Sequence, residues 1–358
     1  MTTLTRSLSR WAMVALALLS CSTGWAQRQA DSLHFIEGVV VRERFVSKDV
    51  IPAQTLSGRE LQRLSAVSVA DALRYFAGVQ IKDYGGIGGL KTVNIRSMGS
   101  QHVGVFYDGL QLGNAQNGQI DLGRFSLDNM ESVSIYNGQR STILQPAKSF
   151  ASAAALYMTT RRPDVSATKR DHLKASLKVG SFSTINPSLL WERRLSPSLD
   201  LSISSEYLYT SGRYSFSYKK KNGYDTTSIR HNGDVRSLRF EAGLFGRIDE
   251  GEWRAKAYLY RSERGYPGAF VREEPGKFKH EDRQWDTDLM AQGSLRKSFG
   301  RYTLLLNGKF AYDYLHYLSD PRLDVTTMYV DNHYHQQEGY LSTAHQLSLG
   351  DDWRVALA

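Results

Sequence analysis

The chain has 358 residues, with 45 Lys and Arg against 36 Asp and Glu for a formal charge of +9, and a single cysteine. Hydrophobic residues make up 41% and the mean hydropathy is −0.41; no stretch beyond the N-terminus is apolar enough for a spanning helix, so residence in a membrane requires a β-barrel. The positive charge is scattered, with only Lys219-Lys-Lys221 clustered, which excludes a nucleic-acid partner.

Arg6 and Arg10 precede the apolar run Trp11 to Leu19, and Gly24-Trp-Ala26 supplies a small-x-small cleavage site. Residues 1–26 therefore read as a secretory signal, since the run falls well short of the roughly 20 residues a spanning helix needs. Cys21 follows Leu18-Leu-Ser20, loosely the pattern before a lipidated cysteine, but Leu19 stands where a small residue is expected. Cleavage after Ala26 leaves no cysteine, which removes disulfides and thiol nucleophiles from consideration.

Residues 27–44 form an N-terminal segment. Within it Glu37, Gly38, Val39, Val40 and Val41 make a short Val-rich stretch between polar flanks. Two readings stay open: the first strand of the domain that follows, or an extended segment that leaves its own sheet at little cost and adds to another chain's edge.

A helix is expected next. Ser68 can cap it, Asp71 favours its positive end, Val69, Leu73 and Phe76 share a face, and Gly78 sits where a left-handed C-cap belongs. A strand from Val79 to Lys82 follows, then the Gly-rich loop Asp83-Tyr-Gly-Gly-Ile-Gly-Gly89. Strand-like Lys91 to Ile95 comes after that loop, so no helix N-terminus is present to hold a phosphate.

Alternation over Val93 to Ile95 and Val103 to Tyr107, with Gly99-Ser-Gln between them, predicts a hairpin. Ser100, His102 and Asp108 are the residue types of a hydrolase triad, yet they crowd into nine positions without a nucleophile elbow, so the chain is not read as an enzyme. Gly109 to Gln119 is rich in amides and glycine, which suits either a surface loop or an apex facing a large polar ligand.

Four motifs in order carry a family resemblance: Asp71-Ala-Leu-Arg-Tyr-Phe-Ala-Gly-Val79, Val93-Asn-Ile-Arg96, Val105-Phe-Tyr-Asp-Gly109 and Met130-Glu-Ser-Val-Ser-Ile-Tyr-Asn-Gly-Gln139. They resemble the successive motifs of the plug domain of TonB-dependent outer-membrane receptors, in wording slightly nearer the cobalamin-type branch. The chain departs from the family's pattern at Arg96-Ser97, where Arg-Gly is usual, and at Ala147 to Ala155, where a Gly-rich run is usual.

After Arg161-Arg-Pro163 long alternating strands begin. Leu201, Ile203, Tyr207 and Tyr209 oppose Ser202, Ser204 and Glu206; Trp285, Leu289, Ala291 and Leu295 oppose Gln284, Asp286, Asp288 and Gln292. Runs of about 10 to 14 residues with aromatic ends, joined alternately by short turns and long polar loops, are the pattern of outer-membrane barrel strands. About eight strands are expected from His172 to Leu349, with a ninth starting at Trp353. Eight strands enclose only their own side chains, so the chain is expected to be the front part of a longer receptor, a fragment or an interrupted reading frame. In Asp331-Asn-His-Tyr-His335 two imidazoles stand two residues apart, but with no further fixed ligand in sequence no metal site is assigned.

The expected fold is thus an α+β plug domain followed by antiparallel transmembrane β-barrel strands, the barrel incomplete, with the plug at 45–163 and the strands at 164–358. The resemblance implies active transport of a scarce ligand, a siderophore, cobalamin or similar metal chelate, with no cofactor. It implies a TonB box at Glu37, Gly38, Val39, Val40 and Val41, and apical ligand contacts at Tyr84, Asn114, Gln116 and Asn117. It makes Gly78, Arg96, Asp108, Gly109 and Gly138 structural residues of the plug. Outer-membrane lipid, the TonB complex and a surface lipoprotein are the implied partners. A non-transporting adhesin or signalling receptor on the same architecture is the alternative, and it would not need an accessible box.

Overall fold

The computed structural model describes residues 54–64, 66–114, 118–138, 140, 142–166, 168–219, 223, 225–267, 281–319, 329–350 and 353–358. The signal at 1–26, the segment 27–44 with Glu37 to Val41, and Gln116 and Asn117 lie outside them.

β1 (Gln54–Ser57) leads into the short helices α1 (Gly58–Arg63) and α2 (Val69–Ala72), and α2 tightens into a 3₁₀ turn over Leu73–Tyr75. Ser68 donates from both N and Oγ to Asp71 Oδ2, at 3.2 and 2.9 Å, so the first turn is closed by the side chain that the sequence placed there. Val69 and Leu73 are fully buried and Phe76 nearly so. Gly78, at φ +72°, turns the chain into the next strand.

β2 (Val79–Asp83) and β3 (Lys91–Ile95) form a separate antiparallel ribbon. The hairpin expected between β3 and β4 (Val103–Tyr107) is corrected: β4 pairs with β5 (Leu110–Gln111) and, in parallel, with β7 (Ala154–Thr160). Arg96 and Ser97, at φ 49° and 60°, turn the chain back after β3, with Met98 N donating to Ile95 O at 3.1 Å. A 3₁₀ turn at Ser100–His102 then delivers the chain to the other sheet. That sheet has five strands in the order β1-β6-β7-β4-β5, with β6 at Met130–Tyr136. Val69, Val133, Ile135, Leu156 and Met158 fill its core at close to zero exposure.

The remaining strands are β8 (Asp171–Gly180), β9 (Thr184–Ser196), β10 (Leu199–Thr210), β11 (Tyr214–Lys219), β12 (Asp225–Arg230), β13 (Val235–Ile248), β14 (Gly251–Pro267), β15 (Glu281–Phe299), β16 (Tyr302–Ser319), β17 (Val330–Leu349) and β18 (Trp353–Leu357). Nine of them pair in sequence order as one antiparallel sheet, β8-β9-β10-β13-β14-β15-β16-β17-β18. β11 and β12 form a hairpin of their own inside the connection that the sequence suggested as a loop.

The large sheet is inverted relative to a water-soluble protein. Its charged face is covered: Glu192, Glu206, Arg239, Glu241, Lys256, Arg264 and Asp286 are buried. Its apolar face is bare, with Leu341 75% and Phe310 54% exposed. Water would penalise that arrangement, whereas lipid rewards it, because hydrocarbon tails accept the apolar face without cost. No helix among the described residues is long and apolar enough to cross a membrane, a statement that does not touch crossing by strands.

Candidate functional site

The covered face of the sheet is occupied by the N-terminal α+β domain, and much of the polar contact between them is made by paired charges. Asp108 begins the two-residue turn between β4 and β5. It and Gly109 have φ 51° and 87°, the combination a type I′ turn requires and that Asp-Gly meets at little strain. Asp108 Oδ1 accepts from Thr160 N at 2.9 Å and Oδ2 from Thr160 Oγ1 at 2.8 Å. From the sheet, Lys256 Nζ reaches Oδ2 at 3.0 Å and Arg254 Nη1 reaches Oδ1 at 3.3 Å. Burial alone would raise this carboxyl, but Lys256, Arg254 and the Thr160 N–H outweigh it and hold Asp108 below the ordinary carboxylate range.

Beside it, Tyr107 Oη donates to Glu241 Oε2 at 2.6 Å, and Asn129 Nδ2 donates to the same oxygen at 2.8 Å. Burial, then the neighbouring Glu241 and Asp108 charges, push the Tyr107 phenol well above its usual value, so it stays a donor. Lys256 Nζ lies 4.7 Å from the centre of the Tyr107 ring, adding a cation–π contact to its ion pairs.

A second cluster holds the turn Leu122–Arg124. Arg239, which pairs with Glu206 at 2.7 Å, donates to Gly123 O at 2.6 Å and Arg124 O at 2.8 Å, and Tyr258 Oη donates to Arg124 O at 2.7 Å. Arg124 in turn reaches Asp288 at 2.5 Å and Asp286 at 3.1 Å across the interface, and Asp121 at 3.3 Å within its own domain. Arg264 donates through Nη1 to Gly88 O. These contacts fix position by hydrogen bonds to charged groups, beside an apolar seam in which Tyr258, Tyr260, Met290 and Ala311 of the sheet pack with Tyr107, Leu122 and Phe125 of the plug. The polar contacts of such an interface take up water readily when it separates.

Above these clusters lies a cavity of about 800 Å³. Asn114 and Gln119 line it from the domain; Arg124, Asp288, Lys309 and Glu338 line it with charge. Lys309 is shared between Glu338 at 2.8 Å and Gln111 O at 2.7 Å, and Asn114 Nδ2 donates to Gln119 O at 3.0 Å. The volume falls within the roughly 300–1,000 Å³ range of small-molecule sites.

Of the four expected ligand contacts, the structure places Asn114 at this cavity. Tyr84 is half exposed in the loop after β2 and is not part of the cavity lining; Gln116 and Asn117 lie outside the described residues. The strand residues Asp288, Lys309 and Glu338 were missed as site residues. Their signal is the polar member of the barrel alternation, which gives the face but not the height along it. Gly78, Arg96, Asp108, Gly109 and Gly138 all have positive φ. Asp108 is spent on Thr160, Arg254 and Lys256 and does not orient His102. The Gly-rich loop is likewise used internally, with Gly85 and Gly86 N donating to Asp83 Oδ1 at 3.2 and 2.7 Å.

The family profile of the TonB-dependent receptor plug domain matches residues 47–150. Among curated proteins, the vitamin B12 transporter BtuB of Vibrio vulnificus (strain YJ016) is 24% identical over 240 residues, which is 66% of this chain and 36% of that protein. Among solved structures, a mutant of the ferric enterobactin receptor PfeA from Pseudomonas aeruginosa superposes with a TM-score of 0.57 at 14% identity, covering 86% of this chain and 48% of that one. The closed form of the ferric-catecholate import receptor Fiu from E. coli K12 gives 0.58 at 11% identity, covering 86% and 45%. These likenesses carry the fold, and the chain spans between about a third and a half of the length of the proteins it matches.

Proposed function

We propose that this chain, a member of the TonB-dependent outer-membrane receptors by its plug domain and the antiparallel barrel strands that follow, serves the energised uptake of a scarce, large polar ligand. The ligand class is a metal chelate or a cobalamin, the cargo named for the vitamin B12 transporter and the ferric-catecholate receptors it resembles. The plug spans residues 45–163 and the barrel part 164–358, with its first strand starting at Asp171. The ligand binds in the cavity lined by Asn114, Gln119, Arg124 and Lys309, and Tyr84, Gln116 and Asn117 are its further expected contacts.

The observation that supports this reading most is the chemistry of the plug–sheet contact. It is built from ion pairs such as Asp108–Lys256 and Arg124–Asp288, which hold a plug in place at rest and exchange for water when it is pulled. The pull comes through Glu37, Gly38, Val39, Val40 and Val41, which pair as an added strand with TonB.

Replacing Val40 by Pro removes one N–H from that strand and fixes φ near about −65°. Uptake falls to background while ligand bound at the cell surface stays near the unmutated level. Unchanged uptake would remove the box from Glu37 to Val41, and loss of both would make Val40 a folding residue.

A further inference from the structure

We propose that His316, Asp331 and His333 form a binding site for a divalent transition-metal ion on the outer rim of the sheet, apart from the ligand cavity. The sequence offers only His333 and His335 two residues apart. Strand pairing supplies what was lacking, because β16 and β17 set His316 directly opposite His333. The two rings stack with centres 4.0 Å apart at 12°.

Both imidazoles aim at one carboxylate. His316 Nε2 lies 2.7 Å and His333 Nε2 3.2 Å from Asp331 Oδ1. One ligand atom from each of the three residues falls within 4.8 Å of the others. Ligands of a tetrahedral Zn²⁺ with bonds of about 2.0–2.1 Å stand about 3.3 Å apart, so the two nitrogen-to-carboxylate distances open by less than about 1 Å when an ion enters. Two neutral imidazoles and one carboxylate are a borderline donor set. They select Zn²⁺, Cu²⁺ or Ni²⁺ over Ca²⁺ and Mg²⁺, which take oxygen ligands.

The surroundings already hold the rings in a ligating posture. His333 Nδ1 is 2.9 Å from Tyr314 Oη; with its proton on Nδ1 the ring donates there and turns the Nε2 lone pair toward the site. Trp285 stacks on His316 at 4.7 Å and 20°. All three ligands come from paired strands, which position side chains more closely than loops do. With three protein ligands, a fourth position stays open to water or to a group brought by a visitor.

The location suits access from outside. His316 and His333 share the sheet face of Phe310 and Leu341, yet His316 lies fourteen residues beyond Tyr302 at the short-turn end of β16. At about 3.3 Å per residue and a tilt of about 40°, that is about 35 Å of height, above an apolar band about 25 Å tall. A bound ion therefore clamps β16 to β17 beyond the lipid, where solvent ions reach it.

The test uses untagged protein purified in detergent, titrated with Zn²⁺ by calorimetry and with Co²⁺ by its visible absorption. Histidine carbethoxylation read by peptide mass spectrometry gives the location. The expected result is one site whose affinity falls at least about tenfold in His316→Ala and in His333→Ala, with Zn²⁺ protecting His316 and His333 and leaving His231 reactive. Asp331→Asn weakens it as well, while His172→Ala changes it less than about twofold. Equal affinity in the unmutated protein and the His316→Ala/His333→Ala variant, or Zn²⁺ protection falling on other histidines, overturns the proposal. Asp331 and His333 are exposed and His316 is half-buried, and unchanged heat-modified migration on gels verifies that the variants remain folded.

Discussion

Asp108→Asn tests whether charge holds the plug against the sheet. The asparagine keeps the shape and an oxygen for the Thr160 N–H, but Lys256 and Arg254, now 3.0 and 3.3 Å from a neutral amide, lose this counter-ion, and Lys256 keeps only Glu241 at 3.6 Å. Lys256 is 4% exposed, and removing one member of a buried pair costs about 3–5 kcal/mol. At about 1.4 kcal/mol per factor of ten, that is roughly a hundredfold to a few thousandfold more open interface. The Thr160 amide reports it directly, since it is bonded to Asp108 at 2.9 Å and exchanges only when this contact opens. Hydrogen exchange followed by mass spectrometry should show Thr160 and the β4–β5 turn accelerating by that factor in Asp108→Asn. Adding Lys256→Met, which removes the stranded cation, should recover most of the loss. Exchange within about threefold of the unmutated protein in the single variant would refute the reasoning and assign plug retention to apolar packing.

Further outcomes follow from the same structure. Asp108 has its pKa depressed in the folded state, so its contribution is present above the ordinary carboxylate value of about 3.9 and is lost as pH falls through the lower folded value; exchange at Thr160 should stay slow to about pH 4 and quicken only below it. Leu341→Lys places a cation on the lipid face and should destabilise the folded barrel in vesicles by about 2–4 kcal/mol, measured by urea unfolding. Gly109→Ala meets no atom closer than Arg254 Nη2 at 3.8 Å, so its cost is that of positive φ alone, about 1–2 kcal/mol, read as faster exchange at the β4–β5 turn.

Much of this architecture is legible in the residues. Ser68, Asp71 and Gly78 announce a short helix and its stop because capping and left-handed turns are local. The strand alternation, such as Ser202, Ser204 and Glu206 against Leu201 and Ile203, gives the inner and outer faces directly, and the nine paired strands follow it. What local pattern cannot carry is pairing. β4 was expected beside β3, yet its neighbour is β7, about fifty residues later and parallel, a choice made by burial of Val105 and Leu156 in one core. The hairpin β11–β12 was passed over inside a long connection, although Tyr214, Phe216 and Tyr218 alternate there with Ser215 and Ser217. The cavity wall escaped for a related reason: Lys309 and Glu338 meet only once β16 and β17 are in register.

The most direct test of energised uptake compares surface binding with internal accumulation of labelled cobalamin and ferric chelates in cells carrying the full receptor, before and after a protonophore collapses the inner-membrane potential. The account predicts one ligand that still binds after collapse while its accumulation stops. Accumulation that continues at the same rate would contradict it and describe a passive pore; binding of a ligand that never accumulates in energised cells would contradict it in favour of an adhesin or signalling receptor.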